Sequence, residues 1–359
     1  MGQTLSEPAT DKHTDEGQDE RLAYGSSAMQ GWRISMEDAH TTLLNLALLD
    51  STTPNATPPP GSKHLSFFAV YDGHGGQSVA KYSGAQLHRK VMADENFSKG
   101  DYALAIKYGF LKCDQDLRGD PSYANDPSGC TAVAALITDD WRILVGNAGD
   151  SRAVLSNNGI AVPLSYDHKP VNPEEHSRIT TAGGFVEFGR VNGNLALSRA
   201  IGDFEFKNNS NLPPEQQIVT ANPDIIERQL GDGDEFVVIA CDGIWDCMSN
   251  QEVVDFVRQR VAQDIPLGTI CEQMMDKCLA PDSEVGGVGC DNMTVVIVGL
   301  LRGKKREGWV REIREKVGRE DGGEEAVAAK VEAKKDEEAK PAGGAVEEGD
   351  AVPSKVESA

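Results

Sequence analysis

Acidic residues beside short apolar runs are the feature of this sequence that points most directly to chemistry. A carboxylate next to a buried strand costs free energy unless it is paired or binds a cation. One such residue would be ordinary, but the arrangement recurs along the chain. The positions are Glu37, Asp38, Asp72, Asp242 and Asp291. Together they predict a cluster of carboxylates that holds hard cations.

The neighbours of these carboxylates suggest what the cations would do. Oxygen ligands suit Mg²⁺ or Mn²⁺ better than zinc, and two such ions bridged by a carboxylate can share a hydroxide and aim it at phosphorus. The glycines after Asp72 allow close backbone approach, so the Gly73 carbonyl is a further candidate ligand. Arg33 offers a planar fork that suits phosphate oxygens. His74 could protonate the leaving alkoxide.

Each residue taken alone has a simpler interpretation. An isolated Asp-Gly is typical of a turn, Arg33 and Glu37 at i, i+4 could form a surface ion pair, and a lone His is usually structural. The sequence contains neither a Walker A motif nor Gly-x-Gly-x-x-Gly, and no Cys has an Arg six positions later. The segment that starts at Gly231 resembles a calcium loop but lacks its closing Glu, which indicates a turn. The functional interpretation therefore depends on the whole set.

The composition narrows the classes of partner. The net charge is −22 over 359 residues, and most of the acidic excess lies before residue 302. That balance argues against nucleic acids and anionic membrane surfaces as partners. Seven cysteines without a Cys-x-x-Cys pair indicate a reducing compartment, so a cytoplasmic and nuclear location is expected.

Apolar periodicity predicts a mixed helix and strand protein. The predicted strands are Ser66–Tyr71, Thr131–Thr138, Arg142–Val145, Arg152–Ser156, Glu235–Ala240 and Met293–Leu300. The predicted helices are Gln77–Met92, Tyr102–Leu117, Pro173–Ala182, Gln251–Gln263 and Leu267–Leu279, with Asn250 as an N-cap. These patterns leave open a doubly wound α/β sheet and an antiparallel sandwich with outer helices. The turn signal from Asn157 to Gly159 favours the second.

The chain divides into three regions by composition. We predict a flexible N-terminus over residues 1–21, a globular domain over 22–301 and a charged, largely disordered tail over 302–359. A short helix is expected in the tail, where Trp309, Ile313 and Val317 follow helical spacing. Gly2 and Ser6 match an N-myristoylation pattern, which would give at most weak membrane association because no basic residues support it.

Seven segments of the sequence contain or lie between the residues discussed above. They are Gly31-Trp-Arg-Ile-Ser-Met-Glu-Asp-Ala-His, Phe68-Ala-Val-Tyr-Asp-Gly-His-Gly-Gly, Ser128-Gly-Cys-Thr-Ala, Gly146-Asn-Ala-Gly-Asp-Ser-Arg-Ala, Arg190-Val-Asn-Gly-Asn-Leu-Ala-Leu-Ser-Arg-Ala-Ile-Gly-Asp, Ala240-Cys-Asp-Gly-Ile-Trp-Asp and Asp291-Asn-Met-Thr. Taken as a set, these segments resemble the metal-dependent serine/threonine protein phosphatases of type 2C, and they follow the family's order over about residues 23–300.

The resemblance implies an α+β fold, in which an antiparallel β-sandwich is flanked by helices in four layers and has a two-metal cleft at one end. It implies that Asp72 bridges both ions and that Asp242 and Asp291 hold one of them. Glu37 and the Gly73 carbonyl would face the other ion.

The resemblance also implies roles around the two ions. Asp38 would bind metal-coordinated water, Arg33 would grip the substrate phosphate and His74 would be the general acid. Asp150 and Asp246, with Asp242, match positions of a weaker third metal site. Residues 184–207 would form a flap beside the cleft.

The expected activity is Mg²⁺- or Mn²⁺-dependent hydrolysis of phosphoserine and phosphothreonine in proteins. A metal-bound hydroxide would attack in line without a phosphoenzyme, and the protein would act as a monomer. Two other classes stay open. A pseudophosphatase scaffold would be expected to lose ligands, whereas every inferred ligand is present. A metallohydrolase of small phosphate esters is separable only by substrate profiling.

Overall fold

The fold is given by a computed structural model that describes residues 4–49, 61–283 and 287–320, with the side chains of residues 319 and 320 excepted. The strands in that part of the chain are β1 Thr4–Gln18, β2 Leu22–Arg33, β3 Ala39–Leu43, β4 Ser66–Tyr71, β5 Gly73–His74, β6 Gly129–Cys130, β7 Ala132–Ile137, β8 Arg142–Ala148, β9 Arg152–Asn157, β10 Ile160–Pro163, β11 Val186–Glu187, β12 Arg190–Val191, β13 Ile201–Gly202, β14 Asp224–Gln229, β15 Asp234–Ala240 and β16 Met293–Leu300. The helices there are α1 Ser78–Ala93, α2 Glu95–Lys99, α3 Tyr102–Gly119, α4 Pro173–Thr181, α5 Asp242–Trp245, α6 Asn250–Ala262, α7 Leu267–Cys278 and α8 Arg306–Glu320.

Two large antiparallel sheets form the body of the domain. One has the order β1-β2-β16-β15-β9-β10 and the other has the order β14-β8-β7-β4-β3. Within both sheets the paired strands run antiparallel. This excludes the doubly wound parallel sheet and confirms the predicted antiparallel sandwich.

Three apolar clusters define the four layers. Phe68, Val237 and Val296 belong to the cluster between the two sheets. The outer face of the first sheet packs against α5 to α8, and the outer face of the second packs against α1 and α3. Because both faces of each sheet are covered, the central strands are apolar on both sides, as the sequence indicated.

The strand register brings the ends of both sheets to one edge. In the second sheet Ala39 at the start of β3 pairs with Tyr71 at the end of β4. In the first sheet Ala240 at the end of β15 pairs with Val295 near the start of β16 and with Arg152 at the start of β9. The hydrogen bond from Thr294 of β16 to Asp38, which precedes β3, joins these two ends, so residues that follow β4 and β15, or precede β3 and β16, lie at one end of the sandwich.

The N-terminal segment differs from its prediction. The expectation of a flexible terminus over residues 1–21 is wrong for residues 4–18, which form the edge strand β1 paired with β2. Its residues are largely polar and include Pro8, which suits an edge strand but resembles a disordered segment in sequence. β2 was also missed, since Gly25, Ser26 and Ser27 are poor strand formers. Glycine is needed at position 25, because a Cβ there would lie 2.3 Å from the Gly268 nitrogen of α7.

The C-terminal boundary also moves. The helix expected near Trp309 is confirmed as α8, but its residues belong to the domain rather than to a disordered tail. Trp309 and Ile313 are buried against the first sheet, and the Trp309 indole donates a hydrogen bond to the Glu235 carbonyl at 3.1 Å. The domain thus extends beyond residue 301, and the rest of the tail lies outside the described residues.

Two local predictions can be compared directly. The hairpin turn is confirmed, since Asn158 and Gly159 have φ of 47° and 81° between β9 and β10. The N-cap of α6 is Ser249 rather than Asn250, because Ser249 and Glu252 form a reciprocal capping box. In the described ranges, no helix is long and apolar enough to cross a bilayer.

Candidate active site

Carboxylates gather at the edge where the ends of both sheets meet. We call Asp38, Asp72, Asp150, Asp242 and Asp291 the carboxylate cluster, because each acts electrostatically on other members. Asp72 follows β4, Asp242 begins α5 directly after β15, and Asp291 precedes β16. Sequence reasoning placed these residues at strand ends, and the register brings those ends together.

The negative charge of the carboxylate cluster is not balanced by positively charged side chains of the protein. Burial, and then the charge of Asp242, raise the pKa of Asp72 well above its usual value. Burial raises the pKa of Asp242 in the same way, followed by the charges of Asp150 and Asp291. Carboxylates that hold protons this strongly lack sufficient counter-charge. Such a site favours cations.

Asp38 supplies the most specific sign of a cation site. Its side chain is buried, and Oδ2 accepts a hydrogen bond from the Thr294 hydroxyl at 2.7 Å. Its Oδ1 is buried without a hydrogen-bond partner. Burial raises the pKa of Asp38 to about 7, with the charge of Asp291 adding to the effect. A buried oxygen without a partner among hard oxygen donors fits a site for Mg²⁺ or Mn²⁺ and their water.

Asp291 and Arg33 form an ion pair at the same edge. Arg33 Nη2 lies 2.5 Å from Asp291 Oδ2, and the Arg33 side chain is 43% exposed. Asp291 Oδ1 also accepts from the Asn292 amide at 2.7 Å. Burial raises the pKa of Asp291, although Arg33 opposes this. Arg33 therefore stands beside the cluster with its guanidinium reachable from solvent.

Asn292 ties two segments of the site together, and sequence reasoning missed it. Its side-chain amide donates to the carbonyls of Gln30 and Ser35 at 2.8 and 2.9 Å. Its Oδ1 accepts from the Glu37 amide at 2.9 Å. The residue follows Asp291 directly, so this side chain holds the loop with Glu37 against the loop with Asp291. No local pattern in the sequence identifies this role, because the partners of Asn292 lie 255 to 262 positions away.

Glu37 and Gly73 meet through their backbones. A Cβ on Gly73 would lie 2.2 Å from the Glu37 carbonyl oxygen, so only glycine allows this approach. The Glu37 carboxylate accepts from the Ser35 hydroxyl at 2.7 Å and from the Gly76 amide at 3.0 Å. Gly73, the first glycine after Asp72, thus allows β5 to lie directly against Glu37, which is the close backbone approach that the sequence suggested.

Asp150 and Asp246 lie near Asp242 but share a lysine. Lys169 Nζ lies 2.5 Å from Asp150 Oδ2, and the charges of Asp150, Asp167 and Asp242 raise the pKa of Lys169 against the effect of burial. Burial raises the pKa of Asp246, which Lys169 opposes and Asp150 reinforces. Sequence reasoning missed Lys169, whose partly exposed ammonium group lies at the expected third metal site.

The cluster is not arranged as a ready coordination sphere. Among the residues that the structure describes, no three His, Cys, Asp or Glu side chains are already arranged together as ligands of one metal ion. The carboxylates contact protein donors instead. Asp38 bonds Thr294, Asp150 bonds Lys169 and Asp291 bonds Arg33. The structure therefore shows convergent charge without a formed metal centre.

His74 is paired with an acid outside the cluster. Its Nε2 lies 2.8 Å from Asp203 Oδ2. Burial opposes the charged ring, but the charge and hydrogen bond of Asp203 outweigh this and raise the pKa of His74. Asp203 was not among the predicted site residues.

The segment expected to form a flap has its own small core. It carries the hairpin of β11 and β12, and Val191, Leu197 and Phe206 pack with Ile179 of α4. Phe188 at the hairpin turn is 93% exposed. Gly2 lies outside the described residues.

The fold and this acidic edge define a class of α-β-β-α sandwich hydrolases. The family model described as protein phosphatase 2C matches residues 22–285. The chain belongs to the protein phosphatase 2C family, as the sequence resemblance indicated.

Relatives with the same description cover most of the chain. Protein phosphatase 2C homolog 2 of Hypocrea jecorina is 58% identical over 322 residues, which are 90% of this chain and 72% of that protein. Protein phosphatase 2C homolog 2 of Schizosaccharomyces pombe is 54% identical over 322 residues, which are 90% of this chain and 85% of that protein. The chain is a protein serine/threonine phosphatase, and its substrates are phosphoproteins.

Solved structures support the fold. A phosphatase from a pathogenic strain of Toxoplasma gondii aligns with a TM-score of 0.65 at 25% identity, over 81% of this chain and 96% of that one. A sex determining protein of C. elegans aligns with a TM-score of 0.65 at 23% identity, over 83% of this chain and 68% of that one. The second likeness concerns the fold alone.

Proposed function

We propose that this phosphatase depends on Mg²⁺ or Mn²⁺ and hydrolyses phosphoserine and phosphothreonine directly, without a phosphoenzyme. The observation that carries the proposal is the unbalanced carboxylate cluster, in which Asp38 Oδ1 is buried without a partner. Divalent cations neutralise such a cluster and suit its oxygen donors. When bound, they supply charge neutralisation and an activated water for attack on phosphorus.

The ligand assignment is the one that the family resemblance implies, and the residues it names lie near this edge of the sandwich. Asp72 would be shared by two ions, with Asp242 and Asp291 at one ion and Glu37 and the Gly73 carbonyl at the other. Binding would exchange the contact of Asp291 with Arg33 for a contact with the ion. That exchange would free a guanidinium that already lies beside the cluster and is partly exposed.

Arg33 and His74 would handle the substrate. The Arg33 guanidinium would bind and orient the phosphate through its planar fork. His74 would hold a proton for the leaving serine or threonine oxygen, which departs poorly as an alkoxide. Asp38 would hold water at the cations through the oxygen that has no protein partner.

A weaker third cation site is proposed at Asp150 and Asp246 with Asp242. The cation there would compete with Lys169, whose ammonium group already contacts Asp150. This predicts weaker affinity than at the other two sites.

The reaction course can be tested by isotope labelling. A single turnover of a phosphothreonine peptide in H₂¹⁸O should place one ¹⁸O in the released phosphate, and acid quenching during turnover should trap no phosphorylated protein. Stoichiometric phosphoprotein would contradict direct hydrolysis. Profiling against small phosphate esters in the same assay tests the alternative of a small-ester hydrolase, and a complete lack of turnover with Mn²⁺ would favour a scaffold.

Cell location, oligomeric state and acylation stay predictions. We propose a monomer in the cytoplasm and nucleus, with a minor membrane-associated fraction if Gly2 is myristoylated. Intact mass of the chain from a eukaryotic host, compared with Gly2→Ala, tests the modification.

A further inference from the structure

A small three-stranded sheet beside the cluster brings two distant residues together. Its order is β13-β6-β5, with β6 in the centre. Gly129 of β6 pairs with His74 on one side and with Gly202 on the other. Asp203 follows Gly202 directly. His74 and Asp203 therefore flank the same glycine although they are 129 positions apart in sequence.

The side chains of these two residues meet across Gly129. His74 Nε2 lies 2.9 Å from Asp203 Oδ1 and 2.8 Å from Asp203 Oδ2. The Asp203 side chain is only 5% exposed, whereas that of His74 is 28% exposed. The carboxylate is thus buried behind the ring, and the ring retains a solvent-accessible part.

The backbone is built to allow this contact. A Cβ on Gly129 would lie 2.2 Å from Asp203 Oδ2 and 2.7 Å from His74 Nε2, so any larger residue would intrude between them. Asp203 itself has φ of 51°, a left-handed conformation that costs free energy for a non-glycine residue. The amide of Asp203 donates to the Ser128 carbonyl at 3.3 Å, which helps to hold that conformation.

The contact settles which ring nitrogen is engaged. A carboxylate only accepts hydrogen bonds, so the Nε2 atom that faces it carries the proton. With Nε2 engaged, Nδ1 is the ring atom left to exchange a proton with a substrate.

We propose that Asp203 is a positioning residue for the phosphatase reaction, which fixes His74 so that Nδ1 delivers the proton to the leaving oxygen. This rests on the proposed role of His74 as general acid. As the bond from phosphorus to the leaving oxygen breaks, the Nδ1 proton passes to that oxygen and the ring becomes neutral. Asp203 keeps its charge throughout and never contacts the substrate.

The first test is Asp203→Asn in the full chain, assayed on two substrates. A phosphothreonine peptide has a poor leaving group and needs the acid, whereas p-nitrophenyl phosphate does not. We expect kcat on the peptide to fall about 10- to 100-fold and kcat on p-nitrophenyl phosphate to change less than about threefold. An equal loss on both substrates would overturn the inference, because a merely structural role predicts it.

His74→Ala and the double variant separate this inference from the proposed function. If His74 is the general acid, His74→Ala shows the same selective loss, and adding Asp203→Asn causes little further loss. A non-selective His74→Ala would contradict the proposed function itself. A selective His74→Ala combined with additive losses in the double variant would contradict only the role of Asp203.

Asp114→Asn is a matched control. Asp114 is also buried and accepts from the Gly202 amide at 2.8 Å and from Lys207 at 2.6 Å, so it anchors the same strand without touching His74. We expect Asp114→Asn to change kcat on the phosphothreonine peptide and kcat on p-nitrophenyl phosphate by the same factor. A substrate-selective effect like that of Asp203→Asn would contradict the inference.

A measurement on the unmodified protein does not depend on folding of a variant. Nitrogen NMR of the histidine rings, with the His74 signals assigned by comparison with His74→Gln, reports the tautomer of the neutral ring. We expect the proton on Nε2. A neutral ring protonated on Nδ1 would overturn the inference.

Discussion

Two clusters of charged side chains lie side by side in this molecule and are built in opposite ways. The carboxylate cluster has Arg33 and Lys169 at its margins, and burial with mutual repulsion raises the pKa of Asp72 and Asp242. The second cluster, which we call the paired network, has acids and bases in alternation. Its members are Glu175, Arg178, Arg199, Asp224 and His168.

The paired network satisfies itself. Glu175 accepts from Arg178 at 2.6 Å and from Arg199 at 2.7 Å, and Arg199 also donates to Asp224 at 2.6 Å. His168 accepts from the Gly149 amide at Nδ1 and faces Asp224 with Nε2. Gly149 directly precedes Asp150 of the carboxylate cluster. The two clusters are thus neighbours, and only one has its charge balanced by the protein.

This difference indicates that one cluster stabilises the fold and that the other serves the activity. An acid whose pKa is lowered by its partners stabilises the fold, whereas an acid whose pKa is raised by its neighbours is held at a cost that something else must offset. We infer that the first arrangement supports the base of the flap and that the second is reserved for cations.

The largest effect should come from Asp72→Asn. Removing the carboxylate that we propose to be shared by two ions should lower kcat on a phosphothreonine peptide by about 1000-fold or more, and should weaken Mn²⁺ binding measured by calorimetry. The cation-free protein should not lose stability, because one repelling charge is gone. Near-normal Mn²⁺-dependent turnover would contradict the assignment. Asp116→Asn, a change at an acid paired with Lys90 and Lys112, is the control.

A substitution in the paired network should lower the stability of the fold rather than cation binding. Arg199→Met leaves the buried Glu175 with Arg178 and the Ser198 hydroxyl as its remaining partners, so the free energy of unfolding in urea should fall by about 3–4 kcal/mol. Mn²⁺ should restore little of that loss. If Arg199→Met were as stable as the wild type, the network would not be a structural element and the contrast would fail.

Acid titration should also distinguish the two clusters. Burial opposes ionisation of Glu175, but Arg199 and Arg178 outweigh it and lower its pKa from 4.5 to about 2. The stability that Glu175 provides is then fully present above about pH 4.5 and is lost as the pH falls towards 2. Its size is about 3 kcal/mol. In Glu175→Gln, unfolding free energy should fall less steeply over that range; an unchanged slope would contradict the assignment.

The smallest effect concerns the cation at the margin of the cluster. Lys169→Met removes a positive charge that contacts Asp150, so a further divalent cation should bind about tenfold more tightly. Mn²⁺ titration followed by electron paramagnetic resonance measures this. Weaker binding would show that Lys169 supports the site rather than competing with the ion.

The sequence predicted what depends on local pattern. Apolar runs that end in an acid identified the strands before Asp72 and Asp242. The turn signal from Asn157 to Gly159 identified the hairpin. The sandwich and its family followed from the motifs and are confirmed by the fold and the relatives.

What the sequence could not predict depends on contacts between distant segments. Asn292 joins two loops, Lys169 contacts Asp150, and Asp203 meets His74 only because Gly129 leaves room. None of these contacts has a local signature. β2 was missed for the same reason, since its Gly25 is explained by the distant helix α7 that packs against it.

The central claim is that the carboxylate cluster needs divalent cations for activity. The most direct measurement is hydrolysis of a phosphothreonine peptide by the full chain after treatment with EDTA, followed by addition of Mg²⁺ or Mn²⁺ in excess. We predict that activity disappears in EDTA and returns with either cation. Activity that persists in EDTA would contradict this account of the site.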